Sequence, residues 1–216
     1  MPLDQADEVL DSIARGLEAA GGGARLIYVK REVVEEPEPG PEVSQLGLHE
    51  ALEEALVRYG IRRLYRFQYE AYRALMAGKD IFISSGAATG KTEAFIIPLM
   101  DKALKSGDRS VVVYPTKALA RDQLGRFQRF AMPFMLRVAV FDGDTPERER
   151  ASICQNPPQV LITNPDMIHF GMARSARFRR LLRGLKALVL DEAHVYEGSF
   201  GSHVRMIIDR LKMAVG

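Results

Sequence analysis

The sequence of 216 residues has a single cysteine, Cys154, and only two asparagines, Asn156 and Asn164. One cysteine excludes an intramolecular disulfide and leaves a cysteine-based zinc site without a ligand set in this chain, so a reducing, cytoplasmic compartment is expected. Scarcity of asparagine and cysteine is a habit of proteins from hot environments. No uncharged run approaches the roughly 18 residues needed to span a bilayer. The start, MPLDQADEVLD, is acidic where a secretory signal would be basic, so neither export nor membrane insertion is expected.

A hydrophobic content of 47% in a chain of this length suits one large domain, or one and a half small ones, with a real core. The net charge of +2 conceals an asymmetry: residues 1–60 carry 13 acidic and 5 basic side chains, a balance of −8, so the remainder is +10. A basic body of that size fits a polyanionic partner, although ordinary solvated faces can have the same balance.

Leu3, Ala6, Leu10, Ile13 and Leu17 recur at helical spacing, and Gly21–Gly23 stop the pattern. LIYVKREVV at 26–34 is rich in β-branched residues, and EEPEPGP at 35–41 is a poor former of strand or helix, so residues 1–45 are read as a short helix followed by an extended acidic arm. A compact domain is expected over 46–216. Leu48, Leu52, Leu56 and Tyr59 form one helical stripe ended by Gly60; Phe67, Ala71, Ala74 and Leu75 form another ended by Gly78. Short apolar runs then alternate with helical stretches: IFIS at 81, VVVY at 111, RVAVF at 137, QVLIT at 159 and KALVL at 186. Continuous runs separated by crossover-length connections predict an α/β fold with a mainly parallel sheet covered by helices on both faces. Such sheets bind ligands beyond the carboxyl ends of their strands.

The stretch SSGAATGKT, 84–92, lies between the run IFIS and a helix expected to start near Lys91. A phosphate-binding loop reads G-x-x-x-x-G-K-[ST]; here Ser85 takes the place of the opening glycine, while Gly90, Lys91 and Thr92 keep the end. Gly90 lets the backbone approach phosphate oxygens, amides at the helix start point at them, Lys91 can reach the β- and γ-phosphates, and Thr92 can ligate magnesium. ALVL running into DEAH at 191–194 supplies the acidic pair that a magnesium nucleotide needs, Asp191 for the metal and Glu192 for the attacking water. Beyond the other strands, Pro115, Thr116, Gly143, Thr163 and Asn164 can approach a nucleic-acid backbone closely, and Lys117 and Arg121 can add charge without reading sequence. Tyr114 and Phe141 are assigned to the core, and His169 and His203 to helix packing.

These motifs in this order resemble the first RecA-like domain of a superfamily 2 DEAH-box helicase over residues 46–216. LYRFQ, ending in Gln68, resembles the adenine-reading glutamine motif. PTKALARDQ at 115–123, FDGDT at 141–145 and TNPDM at 163–167 resemble the family's nucleic-acid motifs, and His194 resembles the residue that couples nucleotide state to the nucleic-acid site. VYEGSFGSHVRMIIDRL, 195–211, is similar to the MrfA-type DNA-repair helicases and the related RecQ4-like group. The resemblance implies ATP and Mg2+ bound by Gln68, by Ser85, Gly86, Ala87, Ala88, Thr89, Gly90, Lys91 and Thr92, and by Asp191, with Glu192, Lys91 and Asp191 catalytic. It implies DNA as partner.

Ala87 and Ala88 stand where the family commonly has threonine and glycine, so the loop must keep a conformation open to L-residues. Phe67 stands where histidine is frequent. No S-A-T motif is found, so a fragment, or half of a split helicase, is expected to be completed by a second RecA-like domain in the same or a partner chain, with low activity alone. An RNA helicase motor and a regulatory nucleotide-binding module whose partner supplies catalysis are the alternatives. An ATPase acting on protein or metabolite would leave the motifs at 115, 141 and 163 unexplained.

Overall fold

The computed structural model describes residues 37–84 and 89–215. The expected N-terminal helix, the run 26–34 and Ser85, Gly86, Ala87 and Ala88 lie outside them.

The central sheet has four parallel strands, β3 (Arg109–Val113), β4 (Val138–Val140), β5 (Val160–Thr163) and β6 (Leu185–Leu190), in the order β4-β5-β3-β6. Side chains alternate along each strand between two apolar layers. Val112, Tyr114, Val160 and Ile162 face one layer; Val111, Val113 and Leu161 face the other. Both faces are therefore buried, which is why these strands read as unbroken apolar runs.

The first layer is covered by α1 (Glu50–Arg58), α2 (Arg66–Met76), α3 (Lys91–Ser106) and α4 (Lys117–Ala131), through Leu52, Leu56, Tyr72, Ile96, Met100 and Phe127. The second is covered by α5 (Glu147–Gln155), α6 (Pro165–Arg174), α7 (Ala176–Leu182) and α8 (Gly198–Val215), through Ile153, Ile168, Phe178, Leu181, Ile207 and Leu211. Gly60 and Gly78, both at positive φ, follow α1 and α2 as the stripes predict. The doubly covered parallel sheet is the expected fold class.

Two segments differ from expectation. Residues 35–41 were expected to pair poorly, yet β1 (Pro39–Glu42) pairs antiparallel with β2 (Arg63–Tyr65). Gly40 makes this possible, because a Cβ there would sit 2.9 Å from the Leu64 carbonyl oxygen. Val43 follows into the core and donates its N–H to the Arg62 carbonyl. Conversely, the run IFIS at 81–84 forms no ladder among the described residues, and Phe82 is 80% exposed. Apolar character alone does not make a strand without a neighbouring edge to complete its hydrogen bonds.

No described helix is long and apolar enough to cross a membrane.

Candidate nucleotide and nucleic-acid site

Register decides what meets at the carboxyl edge of the sheet. Val113 of β3 is level with Thr163 of β5 and with Leu190 of β6, and Val140 of β4 is level with Ile162. The segments beginning at Tyr114, Phe141, Asn164 and Asp191 therefore leave the sheet at nearly one height.

At the described end of the phosphate-loop stretch a helix starts at Lys91, as expected. Gly90 caps α3 in the left-handed region, φ 87°, and Lys91 and Thr92 open the helix, half-buried. The Gln68 side chain grips this turn. Its Nε2 donates to the Gly90 carbonyl at 2.9 Å, and its Oε1 accepts from the Tyr65 N–H at 2.9 Å, which closes the first turn of α2. A carboxamide has two N–H donors and two acceptor lone pairs, so one of each is left over. Glu93, one turn into α3, accepts a two-pronged bond from Arg126 of α4, with Nη2 2.6 Å from Oε1 and 2.7 Å from Oε2. This pair clamps the phosphate-loop helix to the helix of the first nucleic-acid motif.

At the end of β6, the Asp191 N–H donates to the Val113 carbonyl, and Asp191 Oδ1 accepts from the Glu192 N–H at 2.8 Å. Glu192 is left-handed, φ 54° and ψ 46°, one of two non-glycine residues described with positive φ. A glutamate held there carries a conformational cost of about 1–3 kcal/mol and persists because surrounding structure enforces it. His194 Nδ1 lies 3.4 Å from Glu192 Oε2, with its ring exposed. Beneath the acids, Tyr114 is buried and its hydroxyl makes no hydrogen bond of ordinary geometry among the described residues. Burial, then the nearby Asp191 carboxylate, push that hydroxyl well above the usual tyrosine range, with Arg126 opposing. Tyr196, whose Oη reaches toward the Val113 carbonyl at 3.4 Å, is raised in the same way, by burial and then by Asp191 and Glu192. Arg126 thus touches α3 through Glu93 and acts electrostatically on the tyrosine below Asp191.

The expected nucleic-acid residues divide into two groups. Pro115, Thr116, Lys117 and Gly143 are accessible at the edge. Thr116 caps α4 by accepting from the Leu119 N–H at 3.3 Å, and Lys117 pairs with Asp144 at 2.8 Å, both side chains about half exposed. Asn164 caps α6, its Oδ1 accepting from the Met167 N–H at 2.9 Å. Two assignments need correcting. The Thr163 hydroxyl is buried and donates to the Phe141 carbonyl at 2.6 Å, so it ties β5 to the 141–145 loop instead of facing solvent. Arg121 is not a free cation: its Nε and Nη2 donate to Asp142 at 2.6 and 2.8 Å.

Asp142 is the residue that sequence reasoning passed over. Its side chain is fully buried, accepts from Arg121, from the Asp144 N–H and from the Thr145 hydroxyl, and is held by the Arg121 guanidinium at a pKa of about 2. The signal available was an aspartate directly after an apolar strand, a position where a carboxylate must find donors or stay outside. Glu93 and Arg126 gave no signal, since charged residues on helices are usually solvated. Tyr114 and Phe141 are in the core as expected, and the rings of His169 and His203 pack 5.0 Å apart across α6 and α8.

A family model described as DEAD/DEAH box helicase matches residues 65–215. The ATP-dependent helicase YprA of Bacillus subtilis is 34% identical over 169 residues, which is 76% of this chain and 22% of that protein. The ATP-dependent helicase HRQ1 of Saccharomyces cerevisiae is 37% identical over 153 residues, 68% of this chain and 14% of that one. The crystal structure of the DUF1998 helicase MrfA bound to DNA and AMPPNP matches with a TM-score of 0.78 at 29% identity, over 92% of this chain and 28% of that one. The chain therefore spans less than a third of the length of these relatives. The family match begins just before Gln68 and takes in Gly90, Lys91, Asp191 and Glu192, and the chain belongs to the DEAD/DEAH box helicase family.

Proposed function

We propose that residues 37–216, which include the β1 strand and the buried Val43, are the ATP-binding motor domain of a DNA helicase, coupling ATP hydrolysis to movement on the nucleic-acid backbone. The observation that carries this reading is the direct bond between Gln68 and the carbonyl of Gly90, which joins an adenine-reading group to a phosphate-reading turn in one rigid unit. The spare donor and acceptor of the Gln68 amide suit N7 and the N6 amino group of adenine. Amides at the start of α3 and the Lys91 ammonium take the phosphates, and Ser85, Gly86, Ala87, Ala88 and Thr89 are assigned to the same phosphate-binding stretch.

Thr92 and Asp191 are the residues that would hold magnesium, a set consistent with an ion that takes one or two protein oxygens and otherwise water and phosphate. When bound, the ion offsets charge on the β- and γ-phosphate oxygens. Glu192 orients the attacking water and accepts its proton as the bond to the γ-phosphorus forms and the bond from that phosphorus to the β–γ bridging oxygen breaks, its electron pair staying on the departing ADP. His194, whose Nδ1 lies 3.4 Å from Glu192 Oε2, relays the state of that carboxylate toward the nucleic-acid edge. The strand-end segments at Pro115, Thr116, Lys117, Gly143 and Asn164 hold the DNA backbone, with Arg121 and Thr163 fixing the loop that presents Gly143. The cation that compensates the departing phosphoryl group is assigned to a second RecA-like domain, in the same or a partner chain. The DNA-bound MrfA relative supports DNA over RNA.

Titration with magnesium ATP tests the reading. Lys91→Ala is expected to weaken binding at least tenfold, about 1.4 kcal/mol, because the phosphates lose their main cation. Unchanged affinity would place the nucleotide elsewhere.

A further inference from the structure

A cavity of about 390 Å3 opens between α5, α6 and α7, at the end of the sheet's second layer. Phe141, Met167, Phe170 and Phe178 make its walls apolar, and Arg150, Arg174 and Arg177 stand at it, against one acid, Glu147. The volume is that of a small-ligand site and exceeds what one nucleobase needs. Gly171 belongs to its construction, since a Cβ there would overlap the Phe178 ring and force α6 away from α7.

The arginines are placed in two ways. Arg150 is fixed in the wall: its Nε donates to the Thr145 carbonyl at 2.7 Å, its Nη2 to the carbonyls of Asp142 and Gly143, and its guanidinium lies 5.5 Å from the centre of the Phe141 ring. Arg174 lies over the Phe170 ring at 5.0 Å, and both side chains are exposed. Between Asp166 and Asp191 the chain has no carboxylate and six cations, Arg174, Arg177, Arg179, Arg180, Arg183 and Lys186, all exposed. None of them is in an ion pair among the described residues. Five are arginine, the residue whose planar fork suits phosphate oxygens.

Two of the cavity's lining residues also belong to or touch the strand-end segments. Phe141 is the first residue beyond β4, and Arg150 bonds the carbonyl of Gly143, a residue assigned above to the DNA backbone. A strand held at Gly143 and leaving over α5 and α6 passes the cavity mouth. We propose that the cavity and its arginine rim form an outlying nucleotide pocket, which takes one base of the DNA beyond the strand-end path against Phe170 and Met167, with the flanking phosphates on Arg174 and Arg177. The inference rests on the reading of the strand ends as a nucleic-acid path. Exposed aromatic and guanidinium faces stack on any base, so the pocket is tolerant of sequence.

Cys154 provides the readout, because it is the only thiol in the chain and lines the cavity, half-buried. Burial raises its pKa, so alkylation by N-ethylmaleimide is followed at a pH of about 8.5, near the ordinary thiol value. The probes are oligothymidylates of about 6 and about 16 nucleotides, the range over which single-strand sites differ in length. The long probe is expected to slow alkylation at least fivefold while the short one binds without protecting. In the double variant Arg174→Ala, Arg177→Ala, protection is lost, affinity for the long probe falls about tenfold and its salt slope drops by about one to two, with the short probe unaffected. If the short probe binds but the long one leaves alkylation unchanged, the pocket is refuted and the strand-end reading stands. If neither probe binds, the strand-end reading fails and this inference with it. Protection by poly-glutamate in place of the long probe would assign the cavity to an acidic protein partner and overturn the proposal.

Discussion

Gln68 and Gly90, 22 residues apart in sequence, are joined by a hydrogen bond of 2.9 Å from the amide Nε2 to the backbone carbonyl. The approach is close enough that a Cβ at position 90 would sit 2.7 Å from Nε2. Position 90 thus favours glycine for its φ of 87°, and a Cβ there would also make the Gln68 amide shift.

The first prediction follows from that contact. Gln68→Ala leaves the Tyr65 N–H and the Gly90 carbonyl without their partner, so ATP affinity should fall about tenfold, equivalent to about 1.4 kcal/mol. GTP affinity should fall less, narrowing the preference between the two. Fluorescent titration with both nucleotides reads the ratio; an unchanged ratio would reduce Gln68 to a helix cap.

Thr163 gives a prediction that separates architecture from contact. Thr163→Val keeps the shape but removes the donor to the Phe141 carbonyl, and should cost about 1–3 kcal/mol in urea denaturation. Oligonucleotide affinity of the folded variant should stay at the wild-type value, and Thr163→Ser should recover most of the stability. A large affinity loss with little loss of stability would return the hydroxyl to the phosphate-contact role.

The ion pair of Arg121 and Asp142 sets an acid limb. A carboxylate held at about 2 in the fold and near 3.8 when unfolded binds fewer protons in the native state between those values, so it stabilises the protein above about pH 4 and stops doing so as pH falls through 2. Asp142→Asn should be less stable by about 2 kcal/mol at pH 6, with the gap to wild type closing between about pH 4 and pH 2. Paired denaturation curves across that range measure it; a gap independent of pH would mean that packing, and not charge, is lost.

How much of this was legible beforehand depended on what each residue type reports. VVV at 111–113 and VLI at 160–162 announced strands buried on both faces, and both faces are buried. IFIS at 81–84 has the same composition, but a run of apolar residues does not name its neighbour, and no ladder forms there among the described residues. Pro39 and Gly40 are poor strand formers, yet pair with β2 because glycine admits a close backbone. Gly90, Lys91, Asp191 and Glu192 could be read from spacing. The turn of Arg121 onto Asp142 and of Thr163 onto Phe141 could not, since the same residue types serve a phosphate or a carbonyl equally well and burial decides between them.

Glu192 supplies a fourth prediction. Glu192→Gly relieves the left-handed backbone, which should raise stability by about 1 kcal/mol while removing ATP hydrolysis. Glu192→Gln should remove hydrolysis and leave the strain in place. Melting temperature and steady-state phosphate release distinguish them; equal melting temperatures would show that the backbone there carries no cost.

The level register of Val113, Thr163 and Leu190 also bears on how the chain can change in length. Adding one residue within β3 would move everything after it by about 3.3 Å and exchange its two faces, so valines meant for one layer would enter the other. An extra residue at Asp108, at Pro157 or at Gly184, ahead of the strands, can be taken up in a loop without disturbing the segments that start at Tyr114, Asn164 and Asp191. Insertions and deletions among natural variants should therefore gather on the amino-terminal side of the sheet, and that side is where a label or a fused domain can be introduced while the opposite rim keeps its spacing.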